Sequence, residues 1–138
     1  MRGPRPWALP SPEDVLTSQP TVVLVVDDED DQAALLGTHL ARAGCVVSRT
    51  DTAERALALP VDPAPDLVVV DLLLPGLDGW GLARALAVRW PGTRIAVSSV
   101  LDRREYPSGV LALPKPYTGR DVARLLAQLA EGPRAAAR

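Results

Sequence analysis

The chain is poor in the residues that build disulfide frameworks and soft-ligand metal sites. Its 138 residues include one cysteine, Cys45, and one histidine, His39. A lone cysteine closes no internal disulfide, which fits a reducing compartment. A lone histidine excludes a multi-histidine metal site or relay, so any metal must be held mainly by oxygen, as Mg2+ or a similar hard ion would be. No apolar run approaches the roughly 20 residues that span a bilayer. Residues 1–20 carry no continuous apolar core of the kind a secretory signal needs. Both absences point to the cytoplasm and away from a membrane. Lys and Arg number 15 against 17 Asp and Glu, a net charge of -2. The basic residues form no stripe, so no electrostatic case exists for nucleic acid as a direct partner.

What is present is a globular composition, 47% hydrophobic and 23% charged, over a length that suits one domain. Five prolines in residues 1–20 predict an extended arm. The body is expected over residues 21–131, and residues 132–138 form a loose tail. Thr21 to Val26 is a continuous apolar run, as in a strand buried on both faces. Apolar residues then recur at helical spacing through Ala33, Leu36, Leu40 and Ala43, and Gly44 ends that helix. Cys45 to Arg49 reads as a second strand, and Thr50-Asp51-Thr52 can cap a short helix through Leu59. Leu67 to Val70 is a third strand, followed by a helix from Trp80 to Trp90. Arg94 to Val97 is a fourth strand, and Gly109 to Leu113 a fifth, confined to a sheet edge by Pro114. Thr118 to Ala130 carries Val122, Leu125, Leu126 and Leu129 on one helical face. Between Val100 and Ser108 at most a short helix fits.

Alternating strands and helices imply a doubly wound parallel sheet with right-handed crossovers. The polar residues that follow the strands therefore share one edge. Asp27 and Asp28 follow the first, Asp71 the third, Ser98 the fourth and Lys115 the fifth. Three carboxylates in one cleft repel unless a divalent cation sits among them, and Mg2+ fits. Aspartate is a competent nucleophile for phosphoryl transfer, and an ammonium and a hydroxyl could hold the remaining phosphoryl oxygens. Glu29, Asp30 and Asp31 read as a solvated helix start, His39 as an exposed helix residue and Cys45 as a small core residue. Trp80 and Trp90 read as packing residues.

These motifs, in this order, resemble the response regulator receiver domain, the CheY-like, flavodoxin-like fold of two-component signalling. Asp27-Asp28 resembles that family's acidic pair. Asp71-Leu72-Leu73-Leu74-Pro75, with Gly76 and Asp78-Gly79, resembles its phosphoacceptor strand end and loop. Ser98 matches its switch hydroxyl, and Lys115-Pro116 its lysine and the proline after it, whose peptide bond is usually cis. The resemblance covers roughly residues 21–131. It implies a five-stranded sheet of order 2-1-3-4-5. It also implies that Asp71 takes a phosphoryl group from a sensor histidine kinase, a phosphotransfer protein or a small phosphodonor. Mg2+ would bind Asp28, Asp71 and the backbone carbonyl of Leu73 directly, with Asp27 acting partly through water. Readout would be a phosphate-biased shift involving Ser98.

Two departures from the family pattern stand out. Its switch aromatic lies three residues before the lysine, where this chain has Ala112; Tyr106 is the nearest aromatic and precedes the fifth strand. The segment from Ser98 to Lys115 is also short, so the fourth helix is shortened or missing. Apolar Leu73 and Val100 beside the site imply slow hydrolysis of the phosphoryl form. The leading reading is a stand-alone receiver, since no second core or helix-turn-helix pattern follows residue 131. It would signal through phosphorylation-dependent binding of a downstream protein or through phosphorelay. The competing reading is a degenerate receiver acting as a constitutive protein-interaction module. An aspartate-nucleophile phosphatase fits poorly, because those usually carry a second Asp where this chain has Leu73.

Overall fold

The computed structural model describes residues 19–131. The expected tail, and all but Gln19 and Pro20 of the expected arm, lie outside the described residues. The elements run β1 (Val22–Val26), α1 (Asp30–Arg42), β2 (Val46–Thr50), α2 (Ala53–Leu57), β3 (Leu67–Val70) and α3 (Gly79–Arg89). They continue with β4 (Arg94–Val97), a 3-10 turn (Arg103–Glu105), β5 (Leu111–Ala112) and α4 (Gly119–Glu131). All strand pairings are parallel, in the order β2-β1-β3-β4-β5. This is the doubly wound order that the resemblance implies.

The sheet has two apolar faces because successive side chains of a strand point to opposite sides. Val23, Val25 and Val69 face one way and join Leu36 and Leu40 of α1 with Val122, Leu125 and Leu129 of α4. Leu24, Val26, Val68 and Val70 face the other way, toward Ala53 and Ala56 of α2 and Leu82, Leu86 and Trp90 at α3. Each fully buried Val or Leu contributes about 1.5–3 kcal/mol, so the two layers hold the central strands firmly. Among them β1 and β3 carry the acidic residues at their ends.

Several boundaries differ from the sequence expectation. β2 begins one residue later than Cys45, because the Cys45 N–H is still donated back to Leu40 O at 3.1 Å, closing the end of α1. α2 stops at Leu57 rather than Leu59, with Ala58 as its C-terminal cap. α3 begins at Gly79, where the Asp78 carboxylate accepts the Gly81 N–H at 2.7 Å. It ends at Arg89, and Trp90 beyond it is buried in the core. β5 has two residues instead of five. The β4–β5 connection carries only the 3-10 turn, so the expectation of a shortened or missing fourth helix is borne out. His39 is not fully exposed. It is half-buried, its ring 6.3 Å from that of Tyr117 in an edge-on arrangement.

Candidate functional site

The parallel register fixes which residues meet. Val26 pairs with Val70, and Val70 with Val97, so Asp27, Asp71 and Ser98 leave three adjacent strands side by side. Lys115 reaches the same edge from beyond β5, its N–H donated to Ser99 O at 3.0 Å. The Lys115–Pro116 peptide bond is cis. The chain after β3 turns sharply into α3: a Cβ on Gly79 would collide with the backbone of Asp71 and Leu72. Glycine at 79 is therefore a condition for the loop that carries Asp71.

Lys115 Nζ donates to Asp27 Oδ2 and to Asp71 Oδ2, both at 3.2 Å. The remaining carboxylate oxygens accept backbone N–H groups. Asp27 Oδ1 takes that of Glu29 at 2.9 Å, and Asp71 Oδ1 takes that of Leu73 at 3.0 Å. Asp27 is 5% exposed, whereas Asp28 is open to solvent. Oxygens of Asp27, Asp28 and Asp71 all lie within 4.8 Å of one another. Asp28 and Asp71 edge a cleft of about 510 Å³ whose lining also includes Leu73, Val100, Lys115 and Tyr117.

Burial alone would lower the Lys115 pKa, but the carboxylates of Asp27 and Asp71 more than offset it, so the ammonium is held above its ordinary value. It is a fixed positive charge at neutral pH. One ammonium among three carboxylates leaves the cleft short of positive charge. Hard oxygen donors at this spacing suit Mg2+, which accepts few protein ligands and keeps several waters. Ser98 is 3% exposed, and its Oγ is buried with no hydrogen-bond partner. A buried hydroxyl left unpaired is costly and calls for an acceptor.

Two contributors were missed from sequence. Arg49, on edge strand β2, donates to Asp27 O through Nε at 3.1 Å and Nη2 at 2.8 Å, and its Nη1 pairs with Asp30 at 2.7 Å. It clamps the backbone of the acidic turn; nothing in the strand pattern marks it. Tyr106 was noticed only as a nearby aromatic. Its hydroxyl accepts the Ser99 N–H at 3.1 Å and donates to Ser99 O at 2.9 Å. Trp80 reaches the same loop, donating Nε1 to Glu105 O at 2.6 Å. Ala112 is half-buried on β5 and offers no polar group there.

No helix among the described residues is long and apolar enough to cross a membrane. A family model described as the response regulator receiver domain matches residues 23–114, ending one residue before Lys115. The chain is 37% identical over 97 residues to a protein-glutamate methylesterase/protein-glutamine glutaminase of Myxococcus xanthus, covering 69% of this chain and 27% of that protein. It is 36% identical over 118 residues to an uncharacterized transcriptional regulatory protein, YrkP, of Bacillus subtilis, covering 78% of this chain and 48% of that protein. The matched segment thus spans about a quarter to a half of these curated relatives. Among solved structures, a response regulator receiver protein from Sinorhizobium medicae matches with a TM-score of 0.73 and 26% identity, over 83% of this chain and 97% of that one. With the sheet order, the acidic strand ends and these matches together, the chain belongs to the response regulator receiver domain family of two-component signalling.

Proposed function

We propose that the cleft is a phosphoacceptor site, that Asp71 is the acceptor, and that residues 21–131 form the receiver unit. The observation that supports this most is Lys115 Nζ at 3.2 Å from Oδ2 of both Asp27 and Asp71. An ammonium fixed beside the acceptor carboxylate is preorganised to neutralise an incoming phosphoryl oxygen. An Asp71 carboxylate oxygen attacks phosphorus. A P–O bond forms, the bond from phosphorus to the donor's leaving atom breaks, and that atom keeps the electron pair. The donor is a phosphohistidine of a sensor kinase or phosphotransfer protein, or a small phosphodonor. Lys115 stays protonated and moves its hydrogen bond from the Asp71 carboxylate to the transferred group. The unpartnered Ser98 hydroxyl donates to another phosphoryl oxygen. Asp28, Asp71 and the Leu73 carbonyl would hold Mg2+, with Asp27 partly through water; the bound ion supplies charge neutralisation.

Leu73 is 50% exposed and Val100 68% exposed at the mouth of the cleft. Neither side chain can orient an attacking water, so hydrolysis of the phosphoryl form is slow, and Leu73→Asn should shorten its lifetime. Output is phosphorylation-dependent binding of a protein partner, or phosphorelay. A constitutive interaction module is the second reading. It is favoured by Ala112 at the aromatic position and by the Tyr106 hydroxyl already bound at Ser99.

The test is intact mass after incubation with acetyl phosphate and Mg2+, for wild type and Asp71→Asn. A gain of one phosphoryl group in wild type alone is the expected result. No gain with acetyl phosphate or with a phosphorylated histidine donor would leave the constitutive module as the better reading.

A further inference from the structure

Of the three carboxylates at the cleft, two are held by hydrogen bonds and one is not. Asp27 and Asp71 each give one oxygen to Lys115 Nζ and the other to a backbone N–H, of Glu29 and of Leu73. The Asp28 carboxylate is exposed and has no hydrogen-bond or ion-pair partner among the described residues. Yet one of its oxygens lies within 4.8 Å of oxygens of Asp27 and Asp71. With nothing bonded to the carboxylate, its place is inherited from the backbone that carries it.

That backbone is clamped. The peptide group between Asp27 and Asp28 is planar, so fixing the Asp27 carbonyl fixes the plane from which Asp28 departs. Arg49 Nε and Nη2 both donate to that carbonyl, at 3.1 and 2.8 Å, and Nη1 reaches Asp30 at the start of α1 at 2.7 Å. The Asp30 side chain is 89% exposed, so its ion pair is screened and weak. Asp27 is buried. The two bonds on its carbonyl therefore carry the clamp.

Charge and geometry act here in opposite directions. As a like charge, the guanidinium disfavours a dication in the cleft, and salt weakens that repulsion. As a clamp it favours one by presetting a ligand. Losing a group that orients a metal ligand typically costs about 10- to 100-fold in affinity, so the clamp outweighs the repulsion.

We propose that Arg49 is a positioning residue for Mg2+, acting through the Asp27–Asp28 peptide to aim the Asp28 carboxylate at the ion. The role rests on the Mg2+ site proposed above.

The test is calorimetric titration of the full chain with Mg2+, without phosphodonor, for wild type, Arg49→Met and Arg49→Lys, followed by amide NMR. Arg49→Met should weaken Mg2+ about tenfold or more. Arg49→Lys keeps the charge but has no planar fork to put two donors on one carbonyl, so it should weaken Mg2+ as well. It carries the comparison if the Met variant does not fold. At saturating Mg2+ the Asp28 amide should shift in wild type and much less in the variants, whereas the Leu73 amide should shift in all. A merely structural role would move the unfolding midpoint in chelator and leave these shifts alone. The proposal is overturned if either variant binds Mg2+ as tightly as wild type, or more tightly, as charge alone predicts. It is equally overturned if the Asp28 amide responds alike in wild type and variants. A wild-type chain that takes up no Mg2+ would remove the metal site itself, and the role of Arg49 with it.

Discussion

Tyr106→Phe removes one oxygen and keeps the ring, which makes it a sharp probe of the β4–β5 connection. That oxygen accepts the Ser99 N–H at 3.1 Å and donates to Ser99 O at 2.9 Å. Ser99 is fully buried, so water cannot replace the lost group. Ser99 O keeps the Lys115 N–H at 3.0 Å, and losing its second donor costs about 1 kcal/mol. The Ser99 N–H has no other partner, and a buried donor left orphaned costs about 1–3 kcal/mol. The expected loss is about 2–4 kcal/mol, or roughly 7–14 °C in Tm at this chain length. Urea unfolding at constant m-value measures it directly. The loop is also held by Trp80, whose Nε1 donates to Glu105 O. The double variant with Trp80→Phe should therefore lose less than the sum of the two single losses, because either change already frees the loop. A Tyr106→Phe loss below about 0.5 kcal/mol would show that the hydroxyl bridge does not hold the connection, and the reasoning would fail.

Three further outcomes are expected. Lys115→Met leaves the nearly buried carboxylates of Asp27 and Asp71 facing each other unpaired, and should cost about 2–4 kcal/mol in chelator. Part of this should return on adding Mg2+, and a variant whose unfolding midpoint ignores Mg2+ would contradict the cation-seeking character of the cleft. Gly79→Ala drives a methyl group into the backbone of Asp71 and Leu72; a cost of about 2–4 kcal/mol by thermal unfolding is expected, and a neutral result would mean the turn is not constrained. Burial raises the phenol pKa of Tyr106 and Tyr117, and the carboxylates beside Lys115 raise its pKa against the effect of burial. All three groups bind their protons more tightly folded than unfolded, so their contribution is fully present below the unfolded values near about pH 10 and is lost as pH rises through the folded ones. Denaturant midpoints should fall above about pH 10, and a flat profile there would refute the assignment.

The parts of the fold that were legible share a cause. β1 and β3 are buried on both faces, so their sequences are unbroken apolar runs, and their boundaries came out within one residue. α4 packs one stripe on a sheet, so its leucines and valine recur with the helical period, and Val122, Leu125 and Leu129 are buried as that spacing requires. Edges were less legible because little burial disciplines them. β2 has no fully buried residue and slipped by one. β5 pairs with only one neighbour and shrank to Leu111–Ala112. The exposed reading of His39 failed for a different reason. Its partner, Tyr117, is 78 positions away, beyond any local period.

Asp27, Asp28, Asp71 and Lys115 could be anticipated as a group because a parallel sheet gathers the residues that follow its strands, whatever lies between them. Topology did that work; no side-chain detail was needed. What topology cannot supply is the set of contacts that fixes each group, and there the sequence was silent. Arg49 clamps Asp27 through its backbone carbonyl, an acceptor every residue has, so no motif marks the pair. Tyr106 likewise bonds to the backbone of Ser99. The position three residues before Lys115 is Ala112, yet an aromatic group still reaches the end of β4 from the opposite end of a shortened connection. One local change, a helix replaced by a three-residue turn, therefore brings the Tyr106 hydroxyl to Ser99. The carboxylates of the acidic cleft follow β1 and β3, outside that connection.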